Sequence, residues 1–346
     1  MRSIDSGIIL DKIMGILLGS ILLLKSDTIF SMKLQNIGLI GFGSWIESAY
    51  LPILNSKTNA IKAIAARTEN TLIKAKKILG NDCFYTNDYK KLLNKPDIDL
   101  VILCVPDELH EKIMKDIINS KKNCIFEMPL SENINSSKEL ITLMDKSENF
   151  FIPNLETSQL PIIKKLSDFK NEKSLGNLLN IHMVMNAPNW GPTPNLTKSV
   201  YSISPWYIDP LNKISGNLPT RVLSIGEKSP KSFSESRANI ILDYNTHWAS
   251  WNFNIESSKE WEVIITMTFE NSEIITDLVN SEITIFKNEK KLPKIKVESI
   301  WPGMKHFLSY VENTDNFNNQ TTKDLMNISH ALQLSNNSNN WQSVEI

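Results

Sequence analysis

From Lys33 to Phe151 the chain repeats one unit, a short apolar run followed by a stretch of helical periodicity. Residues 36–40, 61–66, 100–105 and 124–126 read as strands, and residues 45–54, 69–79, 108–118 and 136–147 as helices. These strands lack polar alternation, so both of their faces must be covered. A helix follows each one. The pattern therefore demands a parallel sheet clothed on both sides, the doubly wound α/β arrangement.

After about Asn154 the rhythm changes. Residues 178–185, 239–244, 251–255, 261–269, 273–279 and 282–286 read as strands with short turns and few helices between them, and residues 304–311 and 323–334 close the chain as helices. This predicts a second, α+β domain with a large, mostly antiparallel sheet. A chain of 346 residues is long enough for two such cores. The expected division is an N-terminal extension over 1–32, a Rossmann domain over 33–154 and an α+β domain over 155–346. Within the extension, residues 13–24 form an apolar run of 12 broken only by glycines and Ser20. That falls short of the ~20 residues a spanning helix needs. No small-x-small cleavage site follows, and Asp5 and Asp11 dilute the positive start of a signal peptide. A docked helix, or an extension ahead of a natural start near Met32, is the expected reading, and no membrane role is expected.

Lys plus Arg (37) balance Asp plus Glu (38), which leaves no overall field to draw the chain to nucleic acid or an anionic surface. The three cysteines, Cys83, Cys104 and Cys124, lie in or beside predicted strands without metal-ligand spacing. An odd number of buried thiols suits a reducing compartment, so a cytoplasmic protein with no metal site is expected.

The first chemical motif is Gly41-Phe42-Gly43, followed by Ser44 and Trp45, at the end of the first strand. Glycines there let the backbone turn tightly and let a pyrophosphate approach the helix N-terminus, where unpaired N–H groups and the dipole favour anions. Ile46 stands where the third glycine of the usual pattern belongs. The alternative is a plain connecting turn. At the end of the second strand, where a fold selecting NAD carries Asp or Glu, the chain has Ala66, Arg67 and Thr68. Arg67 suits a 2′-phosphate and Thr68 adds a hydroxyl, favouring NADP over NAD; the alternative is a solvated arginine at a strand end.

Together with Val105-Pro106-Asp107-Glu108-Leu109-His110, the run of residues 41–54, residues 85–93 ahead of Pro96-Asp97-Ile98-Asp99, and the triplet Glu127-Met128-Pro129, these motifs resemble the Gfo/Idh/MocA oxidoreductases. The resemblance runs from about Lys33 to Ser338 and is strongest up to Pro129. It implies a Rossmann domain, an open-faced sheet domain carrying substrate specificity and oligomer contacts, and hydride transfer between NAD(P) and a sugar or cyclitol alcohol. It further implies that Gly41 and Gly43 cradle the pyrophosphate and Arg67 sits at the adenosine ribose. Pro106, Asp107 and His110 would line the nicotinamide side, with Glu127 beside the nicotinamide ribose. Met128 falls where the family has its catalytic lysine. The family's second signature best matches Tyr201 to Pro210, with Ser202 in place of an Asp, Trp206 in place of the His that joins proton transfer, and Asp209 retained.

Oxidising an alcohol needs a base for the hydroxyl proton, and neither a thioether nor an indole supplies one. Tyr201, Tyr207 and His182 are the substitutes the sequence offers, with His182 equally readable as a satisfied sheet-face histidine. Trp248, Trp251, Phe253 and Trp261 read either as a stacking platform for a sugar or as sheet packing. Two functions follow, with a homo-oligomer expected: an NAD(P)-dependent oxidoreductase of altered proton chemistry acting on a sugar-like small molecule, or a catalytically inactive dinucleotide- or sugar-binding sensor or partner subunit.

Overall fold

The computed structural model describes residues 34–55, 60–187, 200–228, 235–313 and 317–345. The expected extension over 1–32 and the side chain of Tyr201 lie outside them. The first sheet has six parallel strands: β1 (Ile37–Ile40), β2 (Ile61–Ala65), β3 (Phe84–Thr86), β4 (Leu100–Leu103), β5 (Asn123–Phe126) and β6 (Phe151–Pro153). Their order is β3-β2-β1-β4-β5-β6. The chain winds one way from β1 and then the other, so the topological switch lies between β1 and β4, and ligands of such sheets bind at the strand ends there. Every residue of β1 and β4 is buried, as the unbroken apolar runs require. Crossover helices α2 (Glu69–Leu79), α3 (Tyr89–Leu93), α4 (His110–Asn119) and α5 (Ile134–Asp145) follow a short first helix, α1 (Leu51–Leu54). Sixth-strand pairing extends the sheet beyond the reading that ended it near Phe151; three residues are too few to show a period.

The entry to α1 departs from a regular helix. Ile46–Tyr50 form a π-helical turn, closed by the Leu51 N–H on the Ile46 carbonyl. Pro52 follows directly, and its ring and missing N–H would disrupt an α-helical bond to the carbonyl four residues back. A widened turn relieves that conflict.

The second sheet has ten strands, running β14-β13-β12-β11-β7-β10-β9-β8-β16 with β15 beside β13. They are β7 (Leu178–Asn186), β8 (Arg221–Glu227), β9 (Arg237–Asp243), β10 (Trp248–Asn254), β11 (Glu262–Phe269), β12 (Ser272–Asp277), β13 (Glu282–Lys287), β14 (Lys290–Lys291), β15 (Ile295–Lys296) and β16 (Gln342–Ser343). All pairs are antiparallel except β7 with β10. Alternate residues are buried, so one face packs and the other stays open. Trp251 and Phe253 point into the packed face with Met183, Ile240 and Ile265.

Helices are more frequent here than the sequence pattern suggested. Besides α8 (Met304–Asn313) and α9 (Gln320–Ser338), the chain forms α6 (Pro161–Lys170) and α7 (Val200–Ser215). Two prolines, Pro205 and Pro210, lie inside α7, and most of its described side chains are buried, so it shows neither clean helical propensity nor an amphipathic stripe.

Candidate functional site

The glycine turn after β1 is built by backbone constraints. Gly41 has φ of +94°, and a Cβ there would lie 1.9 Å from the Cys104 carbonyl oxygen at the end of β4. Only glycine fits both conditions. Its N–H donates to the Ala65 carbonyl at 2.9 Å, tying the turn to β2. Gly43 has nothing within 4 Å of a would-be Cβ, so the backbone is open to approach where the helix begins. Phe42 between them is buried, and the Ser44 carbonyl accepts from the Ser48 hydroxyl at 2.8 Å. The first turn of a helix leaves N–H groups without intrahelical acceptors, which fits a dinucleotide pyrophosphate. Ile46, in the third-glycine position, is fully buried in the Rossmann core.

Arg67 and Thr68 are exposed at the end of β2, next to the turn because β1 and β2 pair. Thr68 is the N-cap of α2, its Oγ1 accepting from the Thr71 N–H at 3.3 Å. Pro106 and Asp107 are partly exposed at the start of a 3-10 turn, Asp107–Leu109. His110 is buried, with Nδ1 2.6 Å from the Pro129 carbonyl and Nε2 2.9 Å from the Val105 carbonyl. Its ring thus pins the loop after β5 to the end of β4.

Glu127, just past β5, is the hub of the site. Its Oε1 accepts from Trp45 Nε1 at 3.0 Å, Tyr50 OH at 2.7 Å and Asn154 Nδ2 at 2.9 Å. In an α-helix, positions five apart point about 140° away from each other. The π turn between Trp45 and Tyr50 brings them back to one side, so both reach the same oxygen. The replacement of the third glycine and the proline at 52 are thereby linked to how Glu127 is held. Burial pushes the Glu127 carboxyl up to about 7; the three donors pull it down, and Asp107 pushes it further up.

Met128 is 1% exposed and packs in the main hydrophobic core. On α7, Ser202, Trp206 and Asp209 fall at i, i+4 and i+7, one helix face. Ser202 is buried and Trp206 is partly buried against the same core as Met128. Asp209 is buried, with Lys213 Nζ 3.7 Å from Oδ2. Its carboxyl lies above the usual range because burial outweighs the lysine. Tyr207 is buried and stacks on Trp251, ring centroids 5.1 Å apart.

Three residues the sequence did not single out belong to this site: Tyr50, Asn154 and Glu156. Glu156 begins a 3-10 turn, Glu156–Gln159, immediately after β6 and facing α7. It is 6% exposed, and Oε2 has no hydrogen-bond partner among the described residues. Burial, and next the charge of Glu127, push its carboxyl up to about 8. The one signal for it was a carboxylate, Glu156, two residues after Asn154 and close behind the apolar run Phe150 to Ile152.

Other candidates fall elsewhere. His182 is exposed on the second sheet, with Nδ1 2.7 Å from Ser250 Oγ. Trp251 and Phe253 are core residues, whereas Trp248 is half-exposed against Trp341, so these rings form no common platform.

Residues 35–155 match a family described as an oxidoreductase family with an NAD-binding Rossmann fold, Gfo/Idh/MocA. The chain is 32% identical over 63 residues to the uncharacterized oxidoreductase YrbE of Bacillus subtilis, covering 18% of each chain. Over 203 residues it is 24% identical to an uncharacterized oxidoreductase, sll0816, of Synechocystis, covering 53% of each. The first curated relatives are matched over less than a third of their length, 18% to 31%. Levoglucosan dehydrogenase in complex with NADH superposes with a TM-score of 0.76 at 14% identity, covering 90% of this chain and 99% of that one. A crystal structure described as a putative NADPH-dependent oxidoreductase from Desulfitobacterium hafniense also gives 0.76, at 15% identity, covering 89% and 97%. These two likenesses show the fold.

Proposed function

We propose, for a chain that belongs to the Gfo/Idh/MocA oxidoreductase family, a dinucleotide-dependent oxidation or reduction at a CH–OH carbon of a sugar-like or cyclitol-like small molecule, with altered proton transfer. Residues 33–154 serve the dinucleotide and residues 155–346 the substrate and the contacts between copies. The observation that carries this reading is the phosphate turn: a Gly41 that admits no side chain, an open Gly43 and a helix start at the switch point of the sheet. A bound nicotinamide supplies the hydride acceptor or donor. Gly41 to Trp45 hold the pyrophosphate, and Glu127, clamped by Trp45, Tyr50 and Asn154, orients the nicotinamide ribose.

Arg67 favours NADP, because a guanidinium beside the adenosine ribose pairs with a 2′-phosphate and no carboxylate is present there to take the ribose hydroxyls. The open face of the second sheet, with Ile225 and Trp248 exposed, supports a homo-oligomer. The free thiols of Cys83, Cys104 and Cys124 suit the cytoplasm. Among the described residues no helix is long and apolar enough to cross a membrane.

A second reading, a catalytically inactive dinucleotide- or sugar-binding subunit, draws on one observation: Met128 and Trp206, where the family places proton carriers, pack into the core. Fluorescence titration with NADPH and NADH, followed by a screen of sugars and cyclitols, separates the two. Tight NADPH binding with turnover is expected. Binding without turnover, unchanged by Met128→Lys, favours the inactive subunit, and failure to bind either dinucleotide overturns both.

A further inference from the structure

We propose that Glu156 is the proton-carrying group of this site, taking the work that a lysine at position 128 and a histidine at position 206 would share. This rests on the oxidoreductase reading above. The turn that bears Glu156 packs against α7, which carries Tyr207, and against α8, and two residues before it Asn154 donates to Glu127 Oε1 at 2.9 Å, tying this stretch to the end of β5. The charge of Glu156 is felt by Tyr50 and Tyr207, and that of Glu127 is felt by Glu156. Its backbone is held fast, since a Cβ on Gly303, at the start of α8, would lie 2.0 Å from the Glu156 carbonyl oxygen. Glu127 cannot take the same part, because its Oε1 already accepts three hydrogen bonds that favour the ionised form. Glu156 has no such donors on Oε2, a buried oxygen without a partner among the described residues. Buried polar atoms are nearly always satisfied, and one left over is accounted for by a ligand hydroxyl or by a proton it exchanges; Asp209 Oδ2 is likewise without a hydrogen bond among the described residues, but it has Lys213 Nζ at 3.7 Å.

Glu127 acts on this carboxylate, which in turn acts on Tyr50 and Tyr207; Asp107 acts on Glu127, and Lys213 lies 3.7 Å from Asp209 and donates to the Ser158 carbonyl on the turn of Glu156 at 3.3 Å. Burial and Glu127 keep Glu156 protonated up to about pH 8. In oxidation, the substrate C–H bond breaks with the hydride leaving to the oxidised dinucleotide. The O–H bond breaks with its proton passing to the Glu156 carboxylate, and the C–O bond becomes a carbonyl. Glu156 then returns the proton to solvent. In reduction, protonated Glu156 donates to the alkoxide oxygen as the hydride arrives. Below about pH 8 the site is therefore set for reduction and above it for oxidation.

The test is Glu156→Gln in the full chain, read in two ways. Infrared difference spectroscopy of the dinucleotide-free protein, titrated from about pH 6 to about pH 10, should show two protonated carboxylic acids, that of Glu127 lost at about pH 7 and that of Glu156 lost at about pH 8. Glu156→Gln should keep the first and lack the second. Kinetically, kcat should fall about 10² to 10⁴-fold with little change in NADPH affinity or KM, and the alkaline limb of the pH profile should disappear. No second such carboxylic acid in the unsubstituted protein overturns the proposal without any variant. So does wild-type kcat with an unchanged pH profile in Glu156→Gln, and so does dinucleotide binding without turnover. In those cases the cofactor reading survives; absence of dinucleotide binding overturns both.

Discussion

The two walls of the candidate site are made by different rules. On the Rossmann wall backbone fixes Gly41 against the Cys104 carbonyl and His110, at the start of α4, between two carbonyls, while Glu127, just past β5, is held by the side chains of Trp45, Tyr50 and Asn154. On the facing wall, Ser202, Trp206, Tyr207 and Asp209 share one helix, and Glu156 sits on one turn of the chain beside it. Backbone devices tolerate little substitution. Side chains on a helix are replaced one by one while the helix stays. On the proposed reading, Met128, in the loop that closes the Rossmann wall, and Trp206 opposite stand at proton-carrying positions, and both pack against the same core.

Three experiments sharpen the contrast, beginning with the largest effect. Gly41→Ala puts a methyl group into the Cys104 carbonyl and a side chain at positive φ, so thermal denaturation should show a loss of several kcal/mol, by overpacking and strain, along with lost dinucleotide binding. Gly43→Ala meets open space and should keep its Tm while losing NADPH affinity by about tenfold or more. Equal melting losses in both would break the claim that only the first is a packing device.

The second concerns pH. Glu127 and Glu156 bind protons more tightly folded than unfolded, so their contribution to stability is fully present below the unfolded carboxyl range, ~4.3, and is lost as pH rises through about 7 and about 8. Chemical denaturation should therefore show stability declining from about pH 5 to about pH 9. Glu156→Gln should flatten that decline, leaving the variant more stable than the parent at the alkaline end by on the order of a few kcal/mol. A decline that the variant does not reduce would place the titration elsewhere.

The smallest effect is at the adenosine end. Arg67→Ala should weaken NADPH binding by about 10 to 100-fold and leave NADH nearly unchanged, since one charge-assisted pair is worth ~1.5–3 kcal/mol. Equal losses for both dinucleotides would make Arg67 a general anchor.

Strands β1, β2, β4 and β5 of the first sheet were legible because an apolar run with no alternation has one solution, and the glycine turn after β1 because tight turns restrict residue type; β3 and β6, three residues each, were too short to show a pattern. Helix α7 was not legible, since Pro205 and Pro210 argue against a helix and near-complete burial erases the period. Tyr50, Asn154 and Glu156 were not legible either. Each sits far from the motifs it joins, Tyr50 by 77 residues from Glu127.

The sequence by itself determined the doubly wound sheet and the glycine turn after its first strand, both properties of local pattern. Only the tertiary structure decided what gathers around Glu127 and that a second buried carboxylate stands beside it. The π turn that swings Trp45 and Tyr50 to one side depends on packing, and the proton affinity of Glu156 comes from desolvation by parts of the chain remote in sequence. Burial is a property of the assembled fold, so no reading of neighbours along the chain contains it.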